Sequence, residues 1–118
     1  MKQYRTRYRK IIVYADYFKN FRKTINKEAL KKIYEVMTYI MTEENIPSKF
    51  FRSIIGYQGL FEIRVEYESN IYRIFCCLDK GNLIVLFNGY TKKSQRAPLN
   101  ELEKANRIMK EYFQSKTK

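Results

Sequence analysis

Three apolar segments separated by two short polar turns decide the fold: Leu60-Phe61-Glu62-Ile63-Arg64-Val65-Glu66-Tyr67, Ile71-Tyr72-Arg73-Ile74-Phe75-Cys76-Cys77-Leu78 and Leu83-Ile84-Val85-Leu86-Phe87-Asn88-Gly89-Tyr90. The first alternates, with Phe61, Ile63, Val65 and Tyr67 on one face and Glu62, Arg64 and Glu66 on the other, as a half-buried strand requires. Glu68-Ser69-Asn70 and Asp79-Lys80-Gly81-Asn82 are built from turn formers at hairpin spacing. The reading is an antiparallel meander.

Working outward, Tyr8 to Ala15 has the β-branched character of a first strand. From about Phe18 to Glu44 the pattern is helical: Leu30, Ile33, Met37 and Ile40 recur at three- and four-residue spacing, and Tyr34 and Met41 widen the stripe. Asn26 is placed to cap a long helix there, and the periodicity stops before Pro47. Phe50 to Gly59 reads as an irregular connection ending in two glycines. Downstream, Leu99 to Phe113 is helical, with Leu102, Ala105, Met109, Tyr112 and Phe113 on its apolar side and Pro98 in its first turn. The expected class is α+β: a small twisted, mainly antiparallel four-stranded sheet packed by helices, in the order β-α-β-β-β-α. No repeat, Gly/Ser linker or composition shift divides the chain, so residues 1–118 read as one domain.

Composition narrows the function. The chain carries 24 Lys and Arg against 12 Asp and Glu, a net charge of +12, with eleven Tyr and eight Phe. Codon bias towards Lys, Ile, Tyr and Asn accounts for part of this, but it does not explain nine arginines. A small protein this basic most often meets polyanions, nucleic acid first. There is no histidine, which removes the Ser-His-Asp triad, His-based ribonuclease chemistry and the commonest zinc sites. No apolar run approaches the roughly 20 residues of a membrane helix. Met1 to Lys10 carries charge where an export signal needs an apolar stretch. Cys76 and Cys77 are adjacent and point to opposite faces of a strand, so the thiols stay free, which suits a reducing compartment. The expected location is the cytoplasm.

The informative residues are charges inside strands. Arg73 shares its row with Ile71, Phe75 and Cys77, and a buried arginine needs a partner. Either it pairs with Glu62 or Glu66 on the next strand, or it stands on the floor of a concave sheet facing a phosphate; a carboxylate holding the guanidinium allows both. Glu62 and Arg64 emerge on one face, and Glu62 between arginines can accept a proton or orient a guanidinium. A solvated polar face explains the same alternation. Lys92 and Lys93 follow the last strand, beside Tyr90 as a base-stacking surface and with Arg96 nearby; a solvated turn is the plain alternative. The basic lead-in, Arg5, Arg7, Arg9 and Lys10, is a candidate RNA contact.

Taken in order, Gly59-Leu60-Phe61-Glu62-Ile63-Arg64, Asn70-Ile71-Tyr72-Arg73-Ile74-Phe75 and Leu86-Phe87-Asn88-Gly89-Tyr90-Thr91-Lys92-Lys93 resemble the HigB-like, phage-derived branch of the RelE/ParE toxin superfamily. The resemblance implies a RelE-like fold and the toxin of a type II toxin-antitoxin system, an endoribonuclease that cuts mRNA on the translating ribosome and inhibits translation. It implies no metal and no cofactor, and a cognate antitoxin, by analogy of helix-turn-helix type. Carried over by position, Arg64, Arg73 and Lys92 or Lys93 take the basic catalytic places. A base role for Glu62 belongs to a subgroup, since some relatives have lysine there. Ala97 replaces the usual small polar residue before the helix. The alternatives are a ParE-like, non-enzymatic inhibitor of DNA gyrase, a plain nucleic-acid-binding module, and a decayed toxin of a mobile element.

Overall fold

The computed structural model describes residues 7–92 and 98–116. Its elements are β1 (Lys10–Val13), α1 (Tyr17–Arg22), α2 (Lys27–Thr42), β2 (Phe51–Ser53), β3 (Leu60–Tyr67), β4 (Asn70–Asp79), β5 (Leu83–Lys92) and α3 (Leu99–Lys116). They form one mixed five-stranded sheet in the order β1-β5-β4-β3-β2 with helices on both faces. The α+β class and the meander β3-β4-β5 are as the sequence predicts.

The first turn is a two-residue link, Glu68 and Ser69, both at positive φ (47° and 71°), and Asn70 already belongs to β4. The second closes Asp79 onto Leu83 through Lys80 and Gly81, again at positive φ.

The expectation of four strands is corrected by β2. Its three residues pair antiparallel with β3, setting Phe51, Arg52 and Ser53 opposite Ile63, Glu62 and Phe61. The signal is too short for period-two reading, but Phe51 stacks on Phe61 with ring centroids 5.2 Å apart. Gly56 and Gly59, at φ 92° and 85°, turn the chain back. The expected first strand shortens to Lys10–Val13, ending before Ala15 at φ 55°, and it pairs parallel with β5.

The helical stretch from Phe18 to Glu44 is two helices. Backbone N–H groups of Lys23 and Thr24 close α1 onto Lys19 and Phe21 carbonyls, and Asn26 opens α2 by accepting from the Ala29 N–H at 2.8 Å. The capping role read from the sequence therefore holds. In α3, Ile108 is buried beside Ala105, Met109 and Tyr112, whereas Phe113 is largely exposed. The apolar stripe is rotated by part of a turn from the expected one.

Strand alternation separates two cores. Ile63, Val65, Tyr72, Ile74, Cys76, Ile84 and Leu86 face α1 and α2, with Ile33, Met37 and Ile40. Leu60, Phe75, Cys77, Val85 and Phe87 face α3. Cys76 and Cys77 thus lie in different cores, free and buried, and burial raises both thiol pKa values, Cys77 to about 12. A bulge between Ile74 and Cys76 shifts the β4–β5 register by one residue. Beyond it Gly89 faces Phe21, whose ring leaves no room for a side chain: a Cβ would lie 2.4 Å from it.

Candidate nucleic-acid interface

The face under α3 changes character along its length. The helix begins near Asn88, whose Nδ2 donates to Glu101, and ends near Asp79, which accepts from the Tyr112 hydroxyl at 2.6 Å and from Lys116. It therefore covers the half of the sheet towards the Asp79–Leu83 turn. Beyond its first turn the same strands carry Glu62, Arg64, Glu66, Arg73, Tyr90 and Lys92 on that face, joined from the edge by Arg52.

Register sets the geometry. Arg64, Arg73 and Tyr90 are directly opposite one another on β3, β4 and β5, and Lys92 is opposite Ile71. Two arginines facing across a ladder repel unless carboxylates intervene. Glu62 and Glu66 flank Arg64 on the same row. One Glu62 oxygen, Oε2, accepts from Arg73 Nη1 at 2.8 Å and from Arg52 Nε at 2.9 Å. Glu66 Oε1 accepts from Arg64 Nη2 at 2.9 Å. Lys92 lies over the Tyr90 ring at 6.0 Å, a cation–π distance.

Burial grades these charges. Arg73 is 2% exposed and Glu62 4%, while Arg52 is exposed and Arg64 largely sheltered. The pairing of Arg73 with Glu62 is the first of the two readings offered by the sequence. Among the described residues, Arg73 Nε and Nη2 are buried without a hydrogen-bond partner. Such a group is costly in an interior.

The other candidates fall elsewhere. Arg7, Arg9 and Lys10 line a cleft with Lys80 and Asn82 near the Asp79–Leu83 turn, at the opposite end of β5 from Lys92. Arg9 donates to the carbonyls of Ile40, Glu43 and Glu44, closing the C-terminal end of α2, where cations are favoured. Arg5, Lys93 and Arg96 lie outside the described residues. Arg52 escapes the sequence reading because the three residues of β2 are too few to show a strand period; its aromatic-then-charge order, Phe51-Arg52, mirrors Phe61-Glu62. Among the described residues, no group of three or more His, Cys, Asp or Glu is placed to hold a metal ion, and no helix is long and apolar enough to cross a membrane.

Fold and site together define a small α+β domain whose sheet presents an arginine-centred basic face. More particularly, the family model described as "Phage derived protein Gp49-like (DUF891)" matches residues 16–110. The chain belongs to that phage-derived Gp49-like family. No curated protein matches it.

Proposed function

We propose that this protein is the toxin of a type II toxin-antitoxin pair, an endoribonuclease acting on mRNA at the translating ribosome. The observation that carries the reading is the Arg64–Arg73 pair on facing strands, with Glu62 bridging Arg73 to Arg52, at the end of the sheet that α3 leaves uncovered. Folding has no need of three guanidinium groups at one place. A phosphate passing through a pentacoordinate state does, because charge grows on its oxygens.

In the proposed reaction the RNA 2′-oxygen attacks the adjacent phosphorus and the bond to the 5′-oxygen breaks, leaving a 2′,3′-cyclic phosphate and a 5′-hydroxyl. The 2′-hydroxyl proton passes to a base and the departing 5′-oxygen takes one up. Arg64 meets the phosphate, and Arg73 supplies positive charge from beneath. Glu62 acts as an orienting group, since its Oε2 already accepts two hydrogen bonds. That leaves Lys92 and Lys93 as the candidates for the proton transfers. Tyr90 offers a stacking surface. Positioning by the ribosome lets so sparse a site suffice. An acidic, separately encoded antitoxin is the partner that a +12 chain calls for.

The test is to map 5′ ends of a defined mRNA after incubation with the protein, with and without translating ribosomes, beside an Arg64→Ala variant. Ribosome-dependent cuts lost in the variant support the reading, and intact mRNA with folded protein overturns it. Arg73's burial favours a second reading, a phosphate-gripping module or gyrase inhibitor without chemistry. It predicts intact RNA together with binding that weakens steeply with salt or with inhibition of DNA gyrase.

A further inference from the structure

Beyond the bulge, β5 has no described strand on its outer side: β1 pairs only as far as Leu86. The free edge there is flanked by α1 and α3, and together they enclose a cleft of about 340 Å³. Its size is at the lower end for small-molecule sites. Tyr17, Phe21 and Tyr90 give it aromatic walls, Asn20 and Asn88 bring carboxamides, and Lys104 adds a cation. Asn88 is 3% exposed, and its carbonyl oxygen is buried without a hydrogen-bond partner among the described residues.

We infer that this cleft is a nucleobase site, taking a base that carries an exocyclic amino group. Aromatic walls suit a flat ring, and stacking accepts any base. Selectivity then comes from the carboxamides, which can donate to and accept from a base edge at once. The buried Asn88 acceptor calls for a donor, which an exocyclic amino group supplies from the rim of the base; uracil has only its imide N3–H, set between two carbonyl oxygens that the Asn88 oxygen repels. Lys104 gives the neighbouring phosphate a counter-charge. Tyr90 joins the cleft to the charged face, since it lines the one and stands opposite Arg73 in the other. A strand of RNA can thus lay a phosphate by Arg64 and an adjoining base in the cleft. The inference rests on the proposed function only in taking RNA as the polymer.

The experiment is an NMR titration with the 5′-monophosphates of adenosine, cytidine, guanosine and uridine. It uses wild type, Asn20→Ala, Lys104→Ala and, as a control on the exposed side of α2 remote from the cleft, Lys32→Ala. Asn20 and Lys104 are exposed, so their replacements leave the cores intact. The amides of Asn20, Gly89 and Thr91 should shift with the amino-bearing nucleotides in wild type and in Lys32→Ala. Affinity should fall about five- to tenfold in the cleft variants, the size of one or two lost polar contacts. No shift at these amides at about 10 mM nucleotide, well above a millimolar Kd, overturns the site. Equal response to the uridine nucleotide overturns its selectivity. Because the titration reads binding alone, loss of the ribonuclease reading would leave its result standing.

Discussion

The two ends of the sheet face that meets α3 use the same strands and the same alternation, yet opposite chemistry. Towards the Asp79–Leu83 turn, Leu60, Phe75, Cys77, Val85 and Phe87 are sealed by Ala105, Ile108, Met109 and Tyr112. Towards Lys92, the inward positions are Glu62, Arg64 and Arg73, and the helix has already begun elsewhere. The first end is explained by burial of apolar surface. The second works against it: desolvating charges costs several kcal/mol per ion before pairing offsets it. Residues that hinder folding and persist as a bonded cluster are the ones to read for function.

The comparison breaks most sharply at its centres. Phe75→Ala at the apolar end should cost about 3–5 kcal/mol through cavity formation, while leaving RNA cleavage per folded molecule unchanged. Arg73→Ala should cost a similar 3–5 kcal/mol, because it removes the buried partner of the Glu62 carboxylate and leaves it only the exposed Arg52. The two are separated by the double variant Arg73→Met with Glu62→Leu. Replacing the buried pair by apolar side chains should restore stability to within about 1 kcal/mol or raise it, yet leave RNA uncut. Urea unfolding and 5′-end mapping on the same samples read both outcomes.

The junction between the ends is the next place to probe. Gly89→Ala drives a Cβ into the Phe21 ring, and overpacking of this kind should cost about 1–3 kcal/mol. Since the shift of α1 it forces also moves a wall of the aromatic cleft, thermal unfolding should be read together with nucleotide binding. Asn26→Ala, remote from either end, should cost only about 1 kcal/mol through loss of the α2 cap. A much larger loss would show that α2 depends on its first turn more than on its buried stripe.

The apolar end carries its own pH signature. Hydrogen bonds from Lys116 and then Tyr112 hold the Asp79 carboxyl below its ordinary value. That stabilisation is fully present above the unfolded carboxylate value of about 3.9 and is lost as pH falls through the lowered folded value. Asp79→Asn should therefore flatten the acid limb of the stability curve. At the alkaline side, burial and then Asp79 push the Tyr112 phenol up to about 12. Its contribution is present below the unfolded value of about 10 and is lost as pH rises through the folded one. Chemical unfolding across pH with wild type, Asp79→Asn and Tyr112→Phe checks both signs.

Much of this was legible in the sequence, and the failures have physical causes. Alternation over eight or more residues located β3, β4 and β5, and the i, i+3, i+4 stripe located α2, because long elements repeat their period often enough to be read. Strand β2 escaped because three residues contain no period, and what defines it lies across the ladder: pairing with β3, Phe51 on Phe61 and Arg52 on Glu62. The break between α1 and α2 was hidden because apolar residues continue through it. At the candidate site, Arg73 and its need for a carboxylate were visible from row and spacing, with Glu62 and Glu66 both eligible; the structure selects Glu62 and gives Glu66 to Arg64. Which charges lie deep was not, since burial depends on where α3 starts over the sheet. Within the lead-in, the bonds from Arg9 to the α2 carbonyls were not legible either, because the partners lie 31 to 35 residues away and no local pattern announces them.

The most direct measurement of the central claim is 5′-end mapping of one defined mRNA on translating ribosomes, comparing wild type, Arg64→Ala, Lys92→Ala and the apolar-end control Phe75→Leu. The account predicts discrete cuts by wild type and the control, and a loss of roughly 100-fold for Arg64→Ala, the scale of one missing oxyanion donor. Equal cutting by all four proteins, or intact mRNA with folded wild type, would contradict it.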